Sequence, residues 1–185
     1  EYLYNAAKQN RTTIQKQIQG DYETLEALAV SLGDSGVTDP ERILHILKKI
    51  NKENSFIQMG FADIKGSLTL VDMEGELFYA DLKGKDFFEN ALNGAASISD
   101  TVIGQAGPEM YVNYYGVQMR NLEGDVIGVL IAVHDAAVYR KIIDAPLFND
   151  QGYSCILNET GDFILCSEYI ISGIADGEDV KDILK

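Results

Sequence analysis

Tyr111, Tyr114 and Tyr115, the phenylalanine pair Phe87 and Phe88, and the acids Asp81, Asp100 and Asp135 are the side chains whose types and spacing could do chemistry. That chemistry is recognition. A phenol offers a flat wall together with a hydroxyl, which suits a small-molecule pocket. Along a strand Tyr111 and Tyr115 share one face and Tyr114 takes the other, so only part of the cluster can line a single pocket. Catalysis is poorly served. His45 falls on a helix and His134 at the end of an apolar strand, neither with a recognisable partner. There is no G-x-S-x-G elbow, P-loop, G-x-G-x-x-G or H-E-x-x-H. The chain reads as no enzyme and calls for no cofactor.

Metals find little more. Turns such as Asp72-Met73-Glu74-Gly75-Glu76 begin with an acid, but they lack the further ligands and the closing Glu of a calcium loop. Cys155 and Cys166 are the two cysteines, without the paired C-x-x-C spacing of a structural zinc site. If Asn158 faced Gly161 in their hairpin, Cys155 would face Ile164 and Cys166 would face Tyr153. The thiols would then share a face but sit diagonally, a geometry that favours two thiols over a disulfide.

The elements that must position these residues follow from hydrophobic periodicity. Within Leu3 to Leu32 the apolar residues Ile14, Ile18, Tyr22, Leu25, Leu28, Ala29 and Leu32 recur at steps of three and four, giving one long amphipathic helix. Asp39-Pro40-Glu41 then supplies a cap, a first-turn proline and a first-turn acid for a second helix reaching about Asn54. After Phe56 the period drops to two, and a sheet begins. Three turns of like chemistry, 72–76, 121–125 and 158–162, each begin with Asp or Asn and carry Gly at the fourth place, so each closes a β-hairpin. Lys85 to Leu92 forms a short helix stopped at Gly94. Ile98 to Ile103 is a brief strand, Met110 to Met119 a long one, and Val126 to Val133 is apolar enough to be buried on both faces. A helix from Ala136 to Ile143 leads into the third hairpin.

Composition narrows the partners. Among 185 residues, 29 are Asp or Glu against 15 Lys or Arg, a formal charge of −14 that excludes a phosphate-backbone partner. Residues 1–55 carry 7 basic and 8 acidic side chains, so almost all the excess lies in 56–185. No run of about 18 apolar residues offers a transmembrane helix. A start at Glu1 inside a helix, and an end soon after a new hairpin, predict a piece of a longer protein.

In order, the elements are long helix, helix, two strands, short helix, strands ending in Val126-Ile127-Gly128-Val129-Leu130-Ile131, then a helix into a new hairpin. With Gly60-Phe61-Ala62-Asp63-Ile64-Lys65-Gly66, Lys85-Asp86-Phe87-Phe88-Glu89-Asn90-Ala91-Leu92-Asn93-Gly94, Ile98-Ser99-Asp100 and Gly124-Asp125-Val126-Ile127-Gly128, the chain resembles the Cache family of extracytoplasmic sensor domains in its double form. Gly152 to Gly161 looks like the opening of the membrane-proximal second module. The resemblance implies an α+β fold, a long N-terminal helix packed on a PAS-like antiparallel sheet of five or six strands. It also implies three parts: the helix over 1–36, a membrane-distal ligand-binding module over 37–145, and a partial membrane-proximal module over 146–185.

Family members are anchored by flanking transmembrane helices outside this chain, and they signal to a histidine kinase, a diguanylate cyclase or a chemoreceptor stalk. In amino-acid-binding members an Arg, an aromatic pair, an upstream Tyr and a later Asp grip the ligand. The corresponding positions here are Lys85, Phe87 and Phe88, Tyr79, and Asp100, with Asp81, Tyr111 and Tyr114 as further candidates. Lys in place of Arg supplies a point charge without the bidentate fork, and Phe supplies wall without a donor. The expectation is therefore a bacterial extracytoplasmic sensor that binds a small metabolite reversibly, carboxylate-bearing ligands included, and dimerises through its N-terminal helix. The alternative is a dimerisation ectodomain with a vestigial pocket.

Overall fold

The structure, a computed structural model, describes residues 2–54, 56–99, 102–103, 110–144, 154–157 and 163–166. Its contacts form two compact units, one of residues 18–135 and one of residues 1–17 with 136–185.

Helix α1 runs over Tyr2–Asp34 and α2 over Pro40–Asn51. The side chain of Asp39 accepts the Arg42 N–H at 3.0 Å, Pro40 opens the helix, and Lys48 and Lys49 occupy its last turn, so both ends of α2 are chemically specified. In the 18–135 unit an antiparallel sheet follows: β1 Gln58–Asp63, β2 Ser67–Asp72, β3 Leu77–Asp81, β4 Ser97–Ile98, β5 Val102–Ile103, β6 Tyr111–Arg120 and β7 Val126–Asp135. The strand order is β3-β2-β1-β7-β6-β4, with β5 also pairing β6. Helix α3, Asp86–Leu92, lies between β3 and β4 in sequence. This is the α+β arrangement expected.

The two hairpin turns that fall on described residues are built as their chemistry demands. Asp72 Oδ1 accepts the N–H groups of Gly75 and Glu76 at 2.7 and 2.8 Å, and Asn121 Oδ1 accepts that of Asp125 at 2.7 Å. Gly75 and Gly124 take φ of +97° and +87°, where a side chain would be strained. The turn at 158–162 lies outside the described residues. A further hairpin, β1–β2, turns at Asp63-Ile64-Lys65-Gly66 by the same device, Asp63 Oδ1 accepting from Lys65 and Ser67. Three strands, not two, therefore precede α3. The strand expected over Ile98–Ile103 is split, and the two pieces pair with different parts of β6.

The sheet buries both faces. On one, Leu25, Ala29 and Leu32 of α1 and Ile43 and Leu47 of α2 pack with Met59, Phe61, Tyr115, Val117, Met119 and Leu130. On the other, Phe87, Phe88 and Ala91 of α3 pack with Leu68, Leu70, Val112, Val129, Ile131 and Val133. β7 contributes to both cores, as its unbroken apolar run predicts. The first core also holds a polar contact that periodicity does not show. His134 Nε2 lies 3.8 Å from Asp21 Oδ2, both side chains almost wholly buried, and the imidazole meets the rings of Phe56 and Tyr115 edge-on. His134 thus has a partner, contrary to the expectation that neither histidine would; His45 is exposed on α2 as expected.

In the other unit α4, Ala137–Ile143, precedes a hairpin of β8, Cys155–Leu157, and β9, Phe163–Cys166. Its register corrects the diagonal one expected. Cys155 stands directly opposite Cys166, two residues along from the expected pairing, and the register shifts between Ile156 and Leu157.

Candidate functional site

The sheet face that carries α3 also carries a cavity of about 550 Å³, within the size range of small-molecule sites. Ala80, Asp81 and Leu82 come from the end of β3 and the loop after it. Lys85, Asp86, Phe87 and Asn90 come from the start of α3, and Ser97, Ile98, Ser99 and Tyr114 from β4, its extension and β6.

Local chemistry explains why these residues converge. Asp81 Oδ1 accepts the Lys83 N–H at 2.9 Å, and Gly84 N–H donates to Glu89 Oε1 at 3.2 Å, so the loop between β3 and α3 is tied at both ends. Lys85 caps α3 with its backbone, its carbonyl accepting from Phe88 and Glu89, which leaves its side chain uncommitted to the cap. At the far end of α3 the Gln118 side chain on β6 donates to the Leu92 carbonyl at 2.6 Å. Beyond β4, Ser99 replaces a ladder pair with two bonds to Tyr114: its N–H donates to the Tyr114 carbonyl at 2.8 Å and its hydroxyl accepts the Tyr114 N–H at 2.9 Å.

The cavity is graded from apolar to charged. Phe87 and Tyr114 stack at 5.9 Å between centroids and 27° between planes, and with Leu82 they form the apolar wall. Ser97, Ser99 and Tyr114 are half-buried, while Asp81, Lys85, Asp86 and Asn90 are exposed at the mouth. Burial pushes the Tyr114 phenol above its ordinary value of 10. The hydroxyl therefore stays protonated throughout the physiological range, a neutral donor and acceptor. The stability linked to this shift is fully present below pH 10 and is lost as pH climbs through the raised folded value. Ultraviolet titration of the phenols should accordingly contain a component ionising above 10, and Tyr114→Phe should delete it.

Of the residues singled out from sequence, Asp81, Lys85, Phe87 and Tyr114 meet at this cavity. Tyr79 does not line it. Successive residues of β3 alternate faces, so Ala80 turns to the cavity while Tyr79 is 67% exposed on the other side. Phe88 is sunk in the core beneath α3 at 1% exposure, one position round the helix from Phe87. Tyr111 is an exposed residue at the start of β6 outside the lining, and Asp100 lies outside the described residues. Tyr115 faces the opposite core, edge-on to Tyr22 at 5.1 Å, as strand alternation required.

Asp86, Asn90, Ser97 and Ser99 were missed. Asn90 follows Phe87 by three places, the spacing of one helix face, and that was the signal for it. The serines carried none, since serine is common in turns. Chemically the site offers one cation, two carboxylates, an amide, two hydroxyls, a phenol and an aromatic wall. The lining residues suit the holding of a small polar molecule, with hydrogen-bonding and charged groups at the rim and an aromatic wall beneath.

No protein-family profile and no curated protein sequence matches the chain. Solved structures do. The sensory domain of the Campylobacter jejuni chemoreceptor Tlp3 with isoleucine bound superposes with a TM-score of 0.70 at 15% identity, over 95% of this chain and 78% of that one. The ligand-binding domain of the Pseudomonas aeruginosa amino-acid chemoreceptor PctC, in complex with GABA, gives 0.73 at 18% identity, over 89% and 73%. That of the Pseudomonas fluorescens chemoreceptor CtaA with L-serine gives 0.67 at 15%, over 89% and 70%. The chain has the fold of the Cache-type ligand-binding sensory domains of bacterial chemoreceptors.

Proposed function

We propose that the chain is the extracytoplasmic sensing part of a bacterial membrane signalling protein, and that it binds a small polar metabolite reversibly in the cavity between β3, α3 and β6. The observation that carries this reading is the cavity itself. An aromatic wall of Phe87 and Tyr114 stands below a rim that mixes Lys85 with Asp81, Asp86 and Asn90. A ligand with both an anionic and a cationic or hydrogen-bonding end matches that rim, a carboxylate meeting the Lys85 ammonium as a point charge. The fold supports the reading, because structures of the same architecture were solved with isoleucine, GABA and L-serine bound.

In this account residues 37–145 are the membrane-distal binding module, 1–36 the helix through which two copies pair, and 146–185 part of a membrane-proximal module. Flanking transmembrane helices would connect it to a histidine kinase, diguanylate cyclase or chemoreceptor output, and no catalysis belongs to these residues. Among the described residues no helix is long and apolar enough to cross a membrane.

The reading is tested by thermal unfolding against amino acids, amines, organic acids, sugars and nucleobases. A ligand at 100 times its dissociation constant should add about 2.7 kcal/mol to the folded state. Asn90→Ala, at an exposed rim position, should cut that gain while leaving the unliganded midpoint within a degree or two. A second reading, a dimerisation ectodomain with a vestigial pocket, draws on the exposed Tyr2, Leu3 and Tyr4 near the start of α1. It predicts silence across the panel together with a dimer that Leu3→Asp disrupts.

A further inference from the structure

Nothing in the binding site uses the chain's two cysteines, yet β8 and β9 place them face to face. We propose that Cys155 and Cys166 close a cross-strand disulfide that pins the register of this hairpin in the assembled sensor. Directly opposed residues of an antiparallel pair hold their Cα atoms about 4.5–5.5 Å apart. A disulfide spans Cα separations of about 4.4–6.8 Å. The diagonal arrangement read from turn counting would leave the two residues about 7–8 Å apart, beyond the Cα separation a disulfide spans. The observed register, two residues from that arrangement, is therefore what brings the pair within bonding geometry. The ends of the bridge sit on the two arms of one short hairpin, so closure requires no rearrangement of other elements. Cys155 is half-buried rather than sealed in a core, so an oxidant can reach it.

The step is a thiol–disulfide exchange. Each cysteine gives up its S–H hydrogen and one Sγ–Sγ bond forms. The S–S bond of an organic or protein disulfide breaks, and that oxidant takes up the two electrons and two protons as two thiols. The oxidant is where the proposal rests on the extracytoplasmic reading, since such disulfides persist outside the cytosol.

The test is a thiol count on the intact chain, equilibrated with oxidised dithiothreitol, unfolded, and treated with a polyethylene-glycol maleimide. The expected result is loss of both reactive thiols, a mass lower by two hydrogens, and recovery of two tags after reduction. Cys155→Ser should leave one taggable thiol. Combining Cys166→Ala with Leu165→Cys moves the second thiol to the opposite face of β9 and should abolish closure. Two tags on the oxidised wild-type chain would overturn the proposal, as would a bridge that forms equally well from the offset pair. Because the oxidant is supplied, either outcome is independent of where the chain resides and of whether the cavity binds a ligand.

Discussion

Replacing His134 with Leu should destabilise the chain by about 1–3 kcal/mol, the range found when one partner of a buried polar contact is removed. His134 is 1% and Asp21 5% exposed, and they meet at 3.8 Å where α1 crosses the end of β7. Without the imidazole the Asp21 carboxyl group stays buried and loses a polar neighbour. The informative comparison is the double substitution Asp21→Leu/His134→Leu. Two apolar side chains of similar volume remove both polar groups together, so the double variant should be more stable than His134→Leu alone. Urea unfolding at neutral pH measures both. Equal losses that simply add would mean the two side chains do not act as a pair.

Gly60→Val should be still more damaging. Gly60 sits in the middle of β1, flanked by β2 and β7, and pairs with Leu70 and Ile131. A Cβ there would collide with the Thr69 carbonyl oxygen and come within 2.8 Å of Leu70 Cα and 2.9 Å of Leu70 Cδ2. Two of those three atoms are backbone, which cannot swing aside as a side-chain tip can. Overpacking usually costs about 1–3 kcal/mol, and a backbone collision in a central strand belongs at or beyond the top of that range. The expected readout is loss of the cooperative unfolding transition or a midpoint many degrees lower. Gly20→Ala, on α1 with nothing within 4 Å of the new methyl, is the control and should not destabilise. If Gly60→Val unfolded like the parent, the close approach of β1 and β2 would be wrong.

These two positions also mark where sequence reasoning stopped. Regular periodicity and turn chemistry were legible: α1, α2 and their apolar stripes, the doubly buried β7, and the Asp72 and Asn121 turns all follow from local pattern. The Asp63 turn uses the same chemistry but was hidden, because Ile64 sits inside it and continues the apolar run of β1 although it is 56% exposed. Asp21 was invisible for a related reason. An acid on a helix reads as solvated, and only the strand opposite reveals that its place is in the core.

At the cavity, Lys85, Phe87 and Tyr114 were legible from helix spacing, strand alternation and resemblance, whereas Ser97 and Ser99 needed the sheet. Tyr79 was nominated by resemblance, but the alternation within Leu77-Phe78-Tyr79-Ala80 decides its direction. The cysteine register, which departs by two residues from the one counted outward from the turn, was beyond that counting.

The account turns on whether the cavity binds a ligand. The most direct measurement is isothermal titration of the best stabilising compound into the parent chain and into Lys85→Ala, Asn90→Ala and Tyr79→Ala. Lys85 and Asn90 line the cavity and Tyr79 does not. The account predicts a single site, an affinity about tenfold or more weaker in the first two variants, equivalent to about 1.4 kcal/mol, and no change in the third. Equal affinity in all four proteins, or a loss confined to Tyr79→Ala, would contradict it.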